Sequence, residues 1–341
     1  MTKKANSAGP ASHEARSVLI WLFSFLCAAL LLAVVPSMRG ADEQKAAGKK
    51  SDKPFTLSVD VRRVVLTVTV ESKKDGFIGE LTADNFAVFD QGEPQEIVDF
   101  VGTDQPVTVG VIVDNSRSMT PRRVAVLNAA TGFVMRSNPE DDFFVVHFND
   151  FVRLGLPGST QFSTDPRVVR SGLWSLEPDG RTALYDAVRL GLQHARGGKW
   201  EKRALLVISD GGDNASQTEL DSILDLARGE TTLIYSLGVY DEDNPDRAPG
   251  VLKKLASATG GEALFPESSI EISEACARIA EELRRQYTIV YSPEGEGDKH
   301  GFHKVDVRLK GVDARGAKVR VREGYYEDPV ELPEGVVADA R

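Results

Sequence analysis

The sequence predicts a doubly wound, mainly parallel α/β unit set within, or flanked by, a small β-sandwich-like unit. Three observations carry that expectation. Between residues 105 and 285, short β-branched runs alternate with helical patterns, as βαβ units require. On both sides, residues 55–104 and 286–326 show period-two strand patterns separated by turn residues. The later flank, about 40 residues long, is too short to build a core alone, so the two flanks are expected to share one.

The chain of 341 residues opens with a basic stretch and then an uncharged run, VLIWLFSFLCAALLLAVV, at positions 18–35. That is the pattern of an export signal, and 18 residues also approach the ~20 of a membrane-spanning helix. The following Pro36-Ser37-Met38-Arg39-Gly40-Ala41 is a poor cleavage site, so residues 1–40 read as a signal peptide or a retained anchor. Residues 41–54 are a polar, Lys-rich linker. In the first flank, Val64, Leu66, Val68 and Val70 alternate with Val65, Thr67 and Thr69, and 86–90 and 96–100 form further short strands. Gln91-Gly92-Glu93-Pro94 separates those two.

The α/β unit begins at Val107–Val113, a β-branched run with one glycine, as expected for a central strand buried on both faces. Thr120 and Pro121 read as the cap and first position of a helix over 122–136. Strands follow at 143–148, 204–209, 232–239 and 262–265, and helices at 182–194, 219–228, 252–259 and 270–285. Gly260-Gly261 closes the helix before it. Strands return at 287–291, 304–309 and 318–322, and residues 327–341 read as a disordered tail.

Composition excludes several functions. The net charge is −10, and residues 1–40 carry +3, which leaves −13 for the remainder. Nucleic acid is therefore an unexpected partner. Two cysteines, Cys27 and Cys276, cannot make a disulfide scaffold or a multi-cysteine zinc site. None of the five histidines forms His-Glu-x-x-His, and no phosphate-binding loop or nucleophile elbow is present. His147, inside a strand, and Cys276, inside the last helix, read as structural. Asn214-Ala215-Ser216 fits a glycosylation pattern but lies beside the rim described next, where it reads as chance. No catalytic residue is expected.

In doubly wound sheets, ligands bind beyond the carboxyl ends of the strands. The first buried strand runs into Asp114-Asn115-Ser116-Arg117-Ser118, the third into Ser209-Asp210-Gly211-Gly212-Asp213, and Gly180-Arg181-Thr182 opens a helix between them. Asp114, Ser116, Ser118, Thr182 and Asp210 thus converge on one rim. All are hard oxygen donors, which suit Mg²⁺ best, with Mn²⁺ or Ca²⁺ possible. Arg117 and Arg181 flank them, and Asp213 is either an outer carboxylate or a turn residue.

These three loops resemble the metal-ion-dependent adhesion site of von Willebrand factor A domains, whose fold is Rossmann-like. The resemblance covers about residues 106–283. The flanking LTADNFAVFD at 81–90, YTIVY at 287–291 and REGYY at 322–326 are similar to a secreted bacterial group related to those domains. The resemblance implies that Ser116, Ser118 and Thr182 touch the cation and that Asp114 and Asp210 act directly or through water. An Asp or Glu of a protein partner would complete the coordination. It also implies that the last helix can move with the site. A cation held mainly by neutral hydroxyls keeps its attraction for an outside carboxylate. The leading expectation is an exported adhesion or interaction module, periplasmic, secreted or at the cell surface. The alternatives are a membrane-anchored subunit working with an ATPase chaperone, and a Mg²⁺-dependent hydrolase.

Overall fold

A computed structural model describes residues 63–72, 76–240, 245, 247–293, 301–311 and 316–326. The export or anchor segment, the linker and the tail lie outside them. In chain order the elements before the α/β unit are β1 (Val64–Ser72), β2 (Gly76–Phe77), β3 (Phe86–Asp90), β4 (Glu93–Gln95) and β5 (Ile97–Val101). The α/β unit comprises β6 (Thr108–Asp114), α1 (Arg123–Arg136), β7 (Asp142–Phe148), β8 (Val152–Leu154), α2 (Pro166–Leu173), α3 (Leu184–Ala195), β9 (Arg203–Ser209), α4 (Leu220–Gly229), β10 (Leu233–Gly238), α5 (Pro249–Thr259), β11 (Ala263–Leu264) and α6 (Ser269–Arg285). Then follow β12 (Tyr287–Tyr291), β13 (Phe302–Leu309), β14 (Ala317–Arg320) and β15 (Gly324–Tyr326).

The central sheet has the order β11-β10-β9-β6-β7-β8, parallel except where β8 folds back on β7. Every residue of β6, β7 and β10 is buried, because helices cover both faces. Val109, Val111 and Val113 pack under α1, α2 and α6. Ile112, Phe144 and Val146 point the other way, onto α3, α4 and α5. The sheet is therefore doubly wound, as the alternation of patterns predicts, and its β6 and β9 lie side by side at the centre.

Two antiparallel sheets make the second core. One has the order β14-β1-β12-β5, with β2 also on β1, and the other β15-β13-β3-β4. Each sheet mixes strands from before β6 with strands from after α6, and Leu66, Val68, Phe86, Val88, Tyr287, Ile289 and Tyr291 pack between them.

Several local expectations need correction. Thr120 and Pro121 do not cap α1. The chain first makes a 3₁₀ turn over Arg117–Met119, Thr120 Oγ1 donates back to Arg117 O, and α1 starts at Arg123 with no side-chain cap. The segment between β3 and β5 is a tight hairpin. Gln91 and Gly92 both have positive φ (52° and 88°), and β4 pairs directly with β3. The helix α2 is unforeseen, although Asp165-Pro166 marks its start: Asp165 Oδ1 accepts from Arg167 N at 2.9 Å.

Candidate metal centre

The rim forms where β6 and β9 end next to each other. Asp114 closes β6, and its Oδ1 accepts the Ser116 backbone N–H at 2.8 Å, a turn made by the aspartate itself. Asp210, just past β9, repeats the device with Gly212 N–H at 3.0 Å. Gly211 between them has φ +87°, and a Cβ there would sit 2.7 Å from Ala248 O, so only glycine suits that step.

Hydrogen bonds join four of the five expected residues into one chain. Ser209 Oγ donates to Asp114 Oδ2 at 2.6 Å. Ser118 Oγ donates to Asp210 Oδ2 at 2.8 Å, so Ser116 Oγ, 3.0 Å from Ser118 Oγ, is left as the donor to it. Asp114, Ser116 and Asp210 are buried, whereas Ser118 is exposed. Thr182 makes no side-chain bond to these four, but its loop is tied to theirs. Arg117 N donates to Gly180 O, Asp179 N to Asn115 O, and Thr182 N to Asn214 Oδ1 at 2.9 Å. Asn214 and Ala215 N–H groups return to Thr182 O.

The flanking residues have structural roles. Asp213 Oδ2 accepts Tyr185 N–H at 3.0 Å and so supplies the cap that α3 lacks of its own. Asn214 is occupied by Thr182. Arg117 and Arg181 are paired with Asp179 and Asp150. Two participants went unrecognised in the sequence. Ser209 holds Asp114, and Asn115 ties both loops; neither serine nor asparagine at a strand end carries a distinguishing pattern. Cys276 is buried, its thiol pushed up to about 12 by that burial, which removes it as a nucleophile.

The electrostatics favour a cation. Burial pushes the Asp114 carboxyl up to about 7, helped by the nearby charge of Asp210 and opposed by the bonds from Ser116 and Ser209. Both hydrogen-bond donors to Asp114 are neutral. A divalent ion would supply the missing positive charge, and three hydroxyls with two carboxylates are the oxygen set that Mg²⁺ or Mn²⁺ accepts. Among the described residues no group of three or more His, Cys, Asp or Glu is placed to hold a metal. The rim brings together two carboxylates, those of Asp114 and Asp210, with hydroxyls beside them.

Residues 109–212 match the family model of the von Willebrand factor type A domain, so the α/β unit is a domain of that family. The match runs from β6 past β9 and includes all five rim residues. An uncharacterized protein, sll0103, of Synechocystis sp. (strain ATCC 27184 / PCC 6803 / Kazusa) is 24% identical over 172 residues, 49% of this chain and 39% of that protein. The match thus spans about two fifths of the length of this curated relative. Among solved structures, a von Willebrand factor type A protein from Catenulispora acidiphila aligns at a TM-score of 0.47 and 14% identity, over 79% of this chain and 76% of that one. An aerotolerance-related membrane protein from Bacteroides fragilis aligns at 0.43 and 16%, over 52% and 98%. The manganese-loaded TRAP protein of Plasmodium vivax aligns at 0.41 and 16%, over 71% and 99%.

Proposed function

We propose that this chain is an exported binding module, not an enzyme. In this reading Asp114, Ser116, Ser118, Thr182 and Asp210 hold a divalent cation, Mg²⁺ first. Through that ion the module captures an Asp or Glu side chain of a protein partner. The observation that carries the reading is the hydrogen-bonded chain Ser209–Asp114–Ser116–Ser118–Asp210 at the adjoining ends of β6 and β9. It gathers oxygen donors from two strand ends at one point, with Thr182 alongside, and the sequence holds no phosphate-binding loop motif. When bound, the cation would supply a Lewis-acidic site for an outside carboxylate, and the hydroxyl-rich donor set would leave its charge largely unneutralised.

Export rests on the uncharged segment 18–35 and its basic preface. Among the described residues no helix is long and apolar enough to cross a membrane.

Calorimetric titration of the purified protein with Mg²⁺ and Mn²⁺, paired with capture of partners from cell extract, tests the proposal. Wild type is expected to bind one cation and to lose its captured partner in excess chelator. Asp114→Ala is expected to do neither while keeping its circular dichroism spectrum. Partner capture that persists unchanged in chelator overturns the proposal.

A further inference from the structure

Behind the rim lies a buried polar relay that the proposed cation reading does not use. His147 sits in β7, 1% exposed, with both ring nitrogens engaged. Nε2 is 2.8 Å from Gly172 O, a group that can only accept, so this nitrogen carries the proton. Ser175 Oγ lies 3.2 Å from the same nitrogen. Nδ1 is then an acceptor, and it takes a hydrogen bond from Asn115 Nδ2 at 2.8 Å. The Asn115 amide has one consistent orientation. Nδ2 also donates to Val113 O at 3.1 Å, and Oδ1 accepts from Arg123 Nη1 at 3.1 Å. Turning the amide over would set oxygen against oxygen at Val113 and nitrogen against the guanidinium of Arg123.

The backbone of Asn115 is committed as well. Its N–H donates to Phe148 O at 2.7 Å, and its carbonyl accepts from Asp179 N at 2.8 Å. This single residue therefore stands between Asp114 and Ser116, ties the end of β6 to the end of β7, and fixes the segment that leads into Gly180-Arg181-Thr182. Its side chain is held by three partners, the His147 ring, Val113 O and the Arg123 guanidinium.

We infer that His147 is a positioning residue for the cation cradle, acting through the Asn115 amide to hold the Asp114–Ser118 loop in register with the Thr182 loop. This deepens the proposed cation site and rests on it. Partners that orient the ligands of a metal commonly alter affinity by about 10- to 100-fold when removed.

Two isosteric replacements separate the contacts of the imidazole. His147→Asn places an amide oxygen near the position of Nδ1 and can still accept from Asn115. His147→Gln reaches toward Gly172 but offers Asn115 nothing in place of Nδ1. In Mn²⁺ titrations of the full chain, His147→Gln is expected to weaken binding at least about tenfold, and His147→Asn by no more than about threefold. Because both lose one buried hydrogen bond, their melting temperatures should fall together, so stability alone cannot produce the split. In an Asn115→Ala background the effect of His147→Gln should vanish. Wild-type affinity in His147→Gln, or equal loss in both variants, overturns the inference. Should His147→Gln fail to fold, Asn115→Ala alone carries the test, and its retention of wild-type affinity overturns the inference. If the wild type binds no cation, the cation reading itself falls and this inference with it; if the wild type binds and the variants do not split, only the inference falls.

Discussion

Glu282 on α6 and Arg320 on β14 form an ion pair of 2.5 Å at the junction between the α/β core and the β-sheets. Glu282 is 1% exposed, and Tyr235 OH (2.6 Å) and Thr69 Oγ1 (3.0 Å) donate to the same oxygen. One carboxylate thus gathers a strand of the central sheet, a strand of the sandwich and the last helix. Removing only its cation leaves a buried charge uncompensated. Arg320→Met is expected to cost about 3–5 kcal/mol in urea unfolding, whereas Arg320→Met combined with Glu282→Leu should cost far less. Nearly equal losses in the single and the double variant would show that the pair does not hold the junction. The same contacts bear on the mobility that the family resemblance implies for α6. A sliding helix would have to break the Glu282 cluster, the Arg278 pairs with Glu71 and Glu262, and the Arg284 pair with Asp104.

Asp114 makes the cation-free protein weaker at alkaline pH. Burial raises its carboxyl to about 7 in the folded chain against 3.8 for the free group. A carboxyl raised on folding contributes stability that is complete below pH 3.8 and is lost as pH climbs through about 7. The loss is up to about 4 kcal/mol by pH 8. Asp114→Asn lacks that ionisation. In chelator at pH 8 it should be at least as stable as wild type, and at pH 4 no more stable. Added Mg²⁺ should raise the midpoint of wild type only. A variant that is markedly weaker than wild type at pH 8 without metal contradicts this.

Much of the α/β unit was legible because its signals are local. Val107–Val113 is a β-branched run broken only by Gly110, every residue of β6 is buried since both of its faces are covered, and the run ends where Asp114 turns. Two loops of the rim leave the ends of β6 and β9 and the third opens α3, so each has a local signal. What was illegible is non-local or very short. The Glu282 cluster joins residues more than 200 positions apart, and β8 has three residues, too few for a period to show. Thr120-Pro121 carries the pattern of a cap, but Thr120 Oγ1 is taken by Arg117 O of the 3₁₀ turn, a local bond that the pattern does not show. His147 looked merely structural, since a sequence does not show that its partner is the residue next to Asp114.

The lone glycine in β6 records a packing demand. A Cβ on Gly110 would stand 2.3 Å from Phe144 Cζ and 2.7 Å from Leu205 Cδ2, both in the core facing α3. Phe144 is fully buried and has nowhere to withdraw. Gly110→Ala is expected to destabilise by about 1–3 kcal/mol, and Gly110→Ala with Leu205→Val should recover part of it. Thermal unfolding checks both. An alanine variant as stable as wild type would mean that the β6 region relaxes freely.

His147 should give the fold an acid-sensitive term of opposite sign to that of Asp114. Its imidazole is pushed down from 6.5 to about 4, first by burial, then by the charges of Arg153 and Arg123, against the favourable bond to Gly172 O. A histidine depressed on folding contributes stability that is complete above pH 6.5 and is lost as pH falls through about 4. The size is about 3 kcal/mol. Wild type also carries the Asp114 contribution, which moves the other way over part of this range, so a single stability curve would mix the two. The difference between wild type and His147→Asn cancels Asp114, because both proteins keep it. Measured by urea unfolding in chelator, that difference should be constant above pH 7 and should shrink by about 3 kcal/mol between pH 6.5 and 4 as the wild type alone must take up a buried proton. A difference that stays flat across this range would mean that the imidazole titrates normally, and with it the assignment of Nδ1 as a fixed acceptor for Asn115 would be lost.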